Sequence, residues 1–127
     1  MFYVLINNKG ISVHSANKML TLREMQNLVG IEGEPAYIEV ASYRNYSDSS
    51  IVMICDDEFL RKGYNPTCIT AEGNIVLGQV LILGIDRANE DFGLLTLKQT
   101  EIVKQQTILH TPVSSKVIHL NRRQQNE

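Results

Sequence analysis

The longest apolar stretch in the chain is Ile75-Val76-Leu77-Gly78-Gln79-Val80-Leu81-Ile82-Leu83-Gly84, broken only by Gln79 and two glycines. Its β-branched content, its short length and the flanking Gly73-Asn74 and Gly84 predict a strand rather than a helix. A strand with no polar face must be covered on both sides, so a central place in a sheet is expected. Gly78 and Gly84 leave room for another backbone, a helix or a ligand to come close.

Around that stretch the pattern alternates between strands and turns. Phe2 to Ile6 and Ile11 to His14 read as strands joined by a tight hairpin at Asn8-Lys9-Gly10, where Asn and Gly tolerate positive φ. Thr21-Leu22-Arg23-Glu24 has the form of a capping box, and Leu22, Met25, Leu28 and Val29 follow at helical spacing. Gly30 marks the stop of that helix. Ala36 to Ala41 alternates as a half-buried strand, with Ile38 and Val40 on one face. Tyr43 to Ser50 is polar and is expected to be a mobile surface loop. Ile51 to Cys55 is a further apolar strand that ends abruptly at Asp56-Asp57-Glu58. Phe59 to Tyr64 predicts a helical turn closed by Gly63 and Pro66, and Thr67 to Thr70 a short extended piece. Phe92 to Leu95 is expected to pair beside the central stretch. Either Thr96 or Thr100 caps a last helix carrying Leu97, Ile102 and Val103.

These elements predict an α+β fold, a mostly antiparallel sheet of about five or six strands with two main helices packed on it. A single domain over residues 1–106 is expected, followed by an extension over 107–127. Within that extension Pro112 to Ser115 is a breaker, Val117 to Leu120 is expected to make one small strand or to pack loosely, and Asn121 to Glu127 is a frayed polar tail.

Composition narrows the function classes. With 127 residues the chain suits one domain able to bury roughly two-thirds of its unfolded surface. A net charge of −2 supplies no general attraction to nucleic acid or acidic membranes, which argues against a nucleic-acid partner. The amino end turns polar after Ile6, too soon for a signal peptide or membrane span. Cys55 and Cys68, without a CxxC spacing, read as free thiols and point to the cytoplasm.

Candidate chemistry is sparse. Asp56-Asp57-Glu58 can crowd three carboxylates at a sheet edge, where they would raise one another's pKa or hold a divalent cation. As ordinary structure it is a solvated turn whose aspartate caps the helical turn near Phe59. Tyr64-Asn65-Pro66 closes the same loop, and Asn65 can read a ligand's polar edge or tie down its own backbone. If the chain holds a small-molecule ligand, its candidates are Asp56, Asp57, Glu58, Tyr64, Asn65 and Gly78. His14, His110 and His119 lack ligand spacing, so no metal is expected. Neither cysteine lies in a nucleophile signature, and buried thiols in strands pack as small hydrophobes. No phosphate-binding glycine motif is present, no catalytic residue is assigned and no cofactor is expected. Lys116, Arg122 and Arg123 read as part of a solvated tail. Tyr37, Tyr43, Tyr46 and Tyr64 offer stacking surface for bases, but without flanking cations they read as cover for a core edge.

Several pieces in order resemble a set of small uncharacterised proteins carried by phages, plasmids and bacterial genomes. They are Leu22 to Gly30, Tyr37-Ile38-Glu39-Val40, Asp56-Asp57-Glu58 with Asn65, Gly78 to Gly84, and Phe92 to Thr96. This chain departs from that pattern by inserting Ile31 to Ala36 between helix and strand and Phe59 to Gly63 after the acidic turn. The resemblance implies no established activity. The expectation is a non-enzymatic accessory protein that binds a protein partner or forms a homodimer through exposed strand edges. The alternative is a small-molecule or nucleotide-binding module, a ligand sponge or sensor.

Overall fold

The computed structural model describes residues 1–30, 34 and 36–110. The predicted small strand at 117–120 and the polar tail lie outside the described residues. The amino-terminal hairpin forms as its turn chemistry requires. β1 (Phe2–Asn7) and β2 (Gly10–Ser15) pair antiparallel, and Gly10 takes the positive φ of +119° that a side chain resists.

Helix α1 (Leu22–Val29) starts at the predicted box. Thr21 Oγ1 accepts the Glu24 N–H at 3.1 Å, and Glu24 Oε1 accepts the Thr21 N–H at 2.8 Å. The chain leaves the helix through Gly30, where a Cβ would lie 2.7 Å from the Ala36 nitrogen. That close approach, rather than a left-handed backbone, is why glycine stands there.

Strands β3 (Ile38–Ser42) and β4 (Ile51–Asp56) follow, then the single helical turn α2 (Phe59–Lys62), which Gly63 ends in the left-handed region. β5 (Pro66–Ile69) and β6 (Ile75–Leu77) form a second hairpin. β7 (Val80–Asp86), β8 (Asp91–Gly93), helix α3 (Leu97–Gln106) and β9 (Ile108–Leu109) complete the described chain. Of the two threonines offered as its cap, α3 uses Thr96, which closes a capping box with Gln99. Thr100 is buried one turn in, with its hydroxyl donating to Leu97 O.

The main sheet has the order β2-β1-β7-β4-β3, with β8 on β7, and every pairing is antiparallel. This confirms the α+β reading. Register makes the core. Leu5, Leu81, Ile54 and Val40 stand directly opposite one another across four strands, and Val4, Ile82 and Met53 form the matching row on the other face. A one-residue slip would exchange the two faces, so burial on both sides pins the pairing. Helix α1 covers the first row through Met25 and Val29. Helix α3, through Val103, and the inner side of the smaller sheet cover the second.

One expectation is corrected. The apolar stretch 75–84 is not one strand, because Gly78 takes a left-handed φ of +84° and turns the chain. The Gly78 N–H donates to Asn65 O at 2.9 Å, and the Thr67 hydroxyl donates to Gly78 O at 2.8 Å. Ile75 to Leu77 therefore belong to a separate sheet of order β6-β5-β9, while Val80 onward is central in the main one. Ile108 and Leu109, in the predicted extension, pair with β5.

The polar stretch 43–50 is also better anchored than its composition suggested. Asn45 Oδ1 accepts the Ala71 N–H, Tyr46 shares a hydrogen bond with Thr107, and Gln106 bonds Ser47 twice. No helix among the described residues is long and apolar enough to cross a membrane.

Candidate functional site

The acidic turn does not gather three carboxylates. β4 carries Asp56 inward until it is 1% exposed, and its Oδ2 lies 2.7 Å from Lys62 Nζ. The Tyr64 hydroxyl donates to the same oxygen at 2.9 Å, and the Glu58 N–H to Oδ1 at 2.9 Å. Burial pushes the Asp56 carboxyl up, but the ammonium, amide and hydroxyl together outweigh it and hold it below its ordinary value. The same bond raises Lys62, whose side chain is only 3% exposed. Glu58 turns outward to Arg61. Asp57 is exposed, with its N–H donated to Tyr37 O. The three side chains thus have different surroundings, and the buried Lys62 pairs with only the first of them. No group of three metal-ligating side chains forms among the described residues.

Tyr64 is pushed up first by burial and then by the Asp56 charge. Its ring packs on Gly78, where a Cβ would stand 2.6 Å from Tyr64 Cδ2. Tyr64, Asn65 and Gly78 thus meet, and with Asn7, Thr67 and Gln79 they line a cavity of 180 Å³. Gln79 is committed already, accepting from Asn7 Nδ2 at 3.0 Å and donating to Leu28 O at 2.6 Å. The space is smaller than the few hundred Å³ usual for an organic ligand. Half of the sequence candidates therefore share one place, and their contacts there hold the chain reversal at Gly78.

The cysteines are shut in. Burial raises the Cys55 thiol to about 12 and the Cys68 thiol to about 11, so both stay protonated at neutral pH. His14 stacks on Tyr3 and shares a hydrogen bond with Ser12.

Two surfaces went unread in the sequence. The inner side of the smaller sheet carries Cys68 and Val76 into the core. Alternation then turns Ile69, Ile75, Leu77 and Ile108 outward, with Ile69 directly opposite both Ile75 and Ile108. Ile75 is 50% and Ile108 51% exposed. Ile75 had been assigned to the buried central strand, so nothing in a linear reading marked it as surface.

The second surface lies where the main sheet extends past α1. A cavity of 400 Å³ is lined by Tyr43, Arg44, Ser49, Ile85 and Arg87. It shares Tyr43 and Ile85 with a neighbouring cavity of 230 Å³ that adds Glu90, Asp91 and Phe92. The expectation that no cation flanks the tyrosines is corrected here. Arg44 follows Tyr43 directly, and the fold adds Arg87 from the end of β7.

Compared with known proteins, residues 2–108 match the family model described as domain of unknown function (DUF3846). No curated protein and no solved structure matches the chain.

Proposed function

The chain belongs to the family of the domain of unknown function DUF3846, and on that premise we propose that it is a non-enzymatic accessory protein that works by self-association. The observation that carries this reading is the outward row Ile69, Ile75, Leu77 and Ile108 on the smaller sheet. A two-fold contact sets the same patch against itself, and an apolar row without charge is self-complementary. Such a contact must bury about 800 Å² on each partner, so the row would form the centre of an interface with a polar rim around it.

Binding rather than covalent chemistry is supported by the two thiols, which burial keeps protonated and out of reach. Reduced, buried cysteines suit the cytoplasm. The ordered motifs from Leu22 to Thr96 support a setting among phages and other mobile elements.

Light scattering at several protein concentrations tests the reading. A mass of two chains is expected, falling to one chain in Ile75→Lys and Ile108→Lys. Both positions are exposed enough to accept lysine without unfolding, which circular dichroism verifies. A single-chain mass for the unchanged protein at every concentration would overturn it. A second reading, a small-molecule or nucleotide-binding module, is supported by the 400 Å³ cavity at Arg44 and Arg87.

A further inference from the structure

We propose that the groove bounded by Tyr43, Arg44 and Arg87 binds a nucleoside monophosphate. This rests on the second reading above and is independent of self-association.

The basic end comes first. Among the described residues neither Arg44 nor Arg87 has an ion-pair partner, and both line the same 400 Å³ cavity with Ser49. A phosphate placed between the two would accept paired N–H bonds from each guanidinium.

The two cavities meet at Tyr43 and Ile85. Tyr43 is 61% exposed, which leaves its ring open to a stacking partner. Ile85 and Phe92 line the adjoining space. A planar heterocycle laid against Tyr43 would cover the ring and lie over those apolar side chains.

The far end is acidic. Glu90 and Asp91 line the 230 Å³ cavity and would accept hydrogen bonds from an exocyclic amine or ring N–H on the far edge of the base. A molecule with an anion at one end, a ring in its middle and hydrogen-bond donors beyond matches this sequence of surfaces. A bare anion uses only the first. The larger space alone falls within the range of organic-ligand cavities.

The groove is also held in shape. Arg44 N–H donates to Ser42 Oγ, and Asp48 accepts from Ser50 and from Gln99 Nε2 of α3. Ile85 N–H donates to Ser50 O at 2.8 Å, locking the loop to β7. Tyr43 and Arg44 therefore stand on a loop fastened at several points, so little ordering cost falls on the ligand.

Isothermal titration with AMP, GMP, UMP and inorganic phosphate tests the inference, using the full chain. The nucleotides are expected to bind at least tenfold more tightly than phosphate. Arg44→Gln and Arg87→Gln each weaken nucleotide binding about tenfold, while Lys9→Gln in the distant β1–β2 turn leaves it unchanged. Tyr43→Ala weakens the nucleotides and leaves phosphate as it was. These side chains are exposed, and an unchanged melting temperature confirms that each variant folds. Phosphate binding as tightly as the nucleotides overturns the nucleotide assignment and leaves a small-anion module standing. Absence of binding by every probe overturns both.

Discussion

Asp56→Asn isolates what the buried ion pair contributes. The substitution keeps the side chain's shape, and the asparagine carbonyl can still accept the Glu58 N–H, while its NH2 replaces the Oδ2 that accepts from Lys62 and Tyr64. What disappears is the negative charge 2.7 Å from Lys62 Nζ, leaving an ammonium whose side chain is 3% exposed. Stranding one member of a buried pair costs about 3–5 kcal/mol. With one acceptor kept and both bonds at Oδ2 lost, this case falls mid-range, about 4 kcal/mol. For a domain of this size that lowers Tm by about 15 °C.

Urea denaturation at pH 7 reads the loss as a lower midpoint with an unchanged slope. Lys62→Met alone should cost a similar amount by stranding the carboxylate. The double variant should lose clearly less than the sum, with a coupling of at least about 1 kcal/mol. A single variant within about 0.5 kcal/mol of the unchanged protein, or strict additivity, would show that the two charges do not hold each other.

The pH dependence has two signs. Asp56 is depressed in the folded chain, so its contribution is complete above its unfolded pKa near 3.9 and is lost as pH falls through the folded value. Lys62 is raised, so its contribution is complete below about 10.4 and is lost as pH rises through its folded value. Asp56→Asn should flatten the acid limb of the stability profile.

Two further outcomes follow from the reversal at Gly78. Gly73 and Gly78 share a left-handed backbone, but a Cβ at Gly73 meets nothing within 4 Å while one at Gly78 strikes the Tyr64 ring. Gly73→Ala should therefore cost about 1–2 kcal/mol from the backbone alone, and Gly78→Ala should cost measurably more in the same urea titration. Equal losses would contradict the packing of Tyr64. By native-state hydrogen exchange, the Val80 amide, paired with β1, and the Leu81 amide, between β1 and β4, should exchange only through global unfolding. The Ile108 and Leu109 amides, on a two-residue edge strand, should open sooner. Fast exchange at Val80 or Leu81 would refute the central place of β7.

Local signals in the chain determined its local elements. Asn8-Lys9-Gly10 made the hairpin, Thr21 with Glu24 made the cap, and the alternation at Ile38 and Val40 named the buried side of its strand. The apolar run 75–84 required burial on two faces, and its part from Val80 to Leu83 has it. All of these depend on residues within a few positions of one another.

Tertiary structure decided the rest, because the deciding partners are distant in sequence. Gly78 could continue a strand or reverse it, and only Asn65, Thr67 and Tyr64 settle that it reverses. That reversal moves Ile75 from core to surface and creates the outward apolar row. Asp56 looked like one of three equivalent carboxylates until Lys62, six residues on, took it alone. Arg44 and Arg87 are separated by β4, a helical turn, a second hairpin and β7. Only the packing of the 43–50 loop against the end of β7 places them around one cavity. Hydrophobic periodicity reports which residues avoid water, whereas a binding surface depends on which separate segments the fold sets side by side.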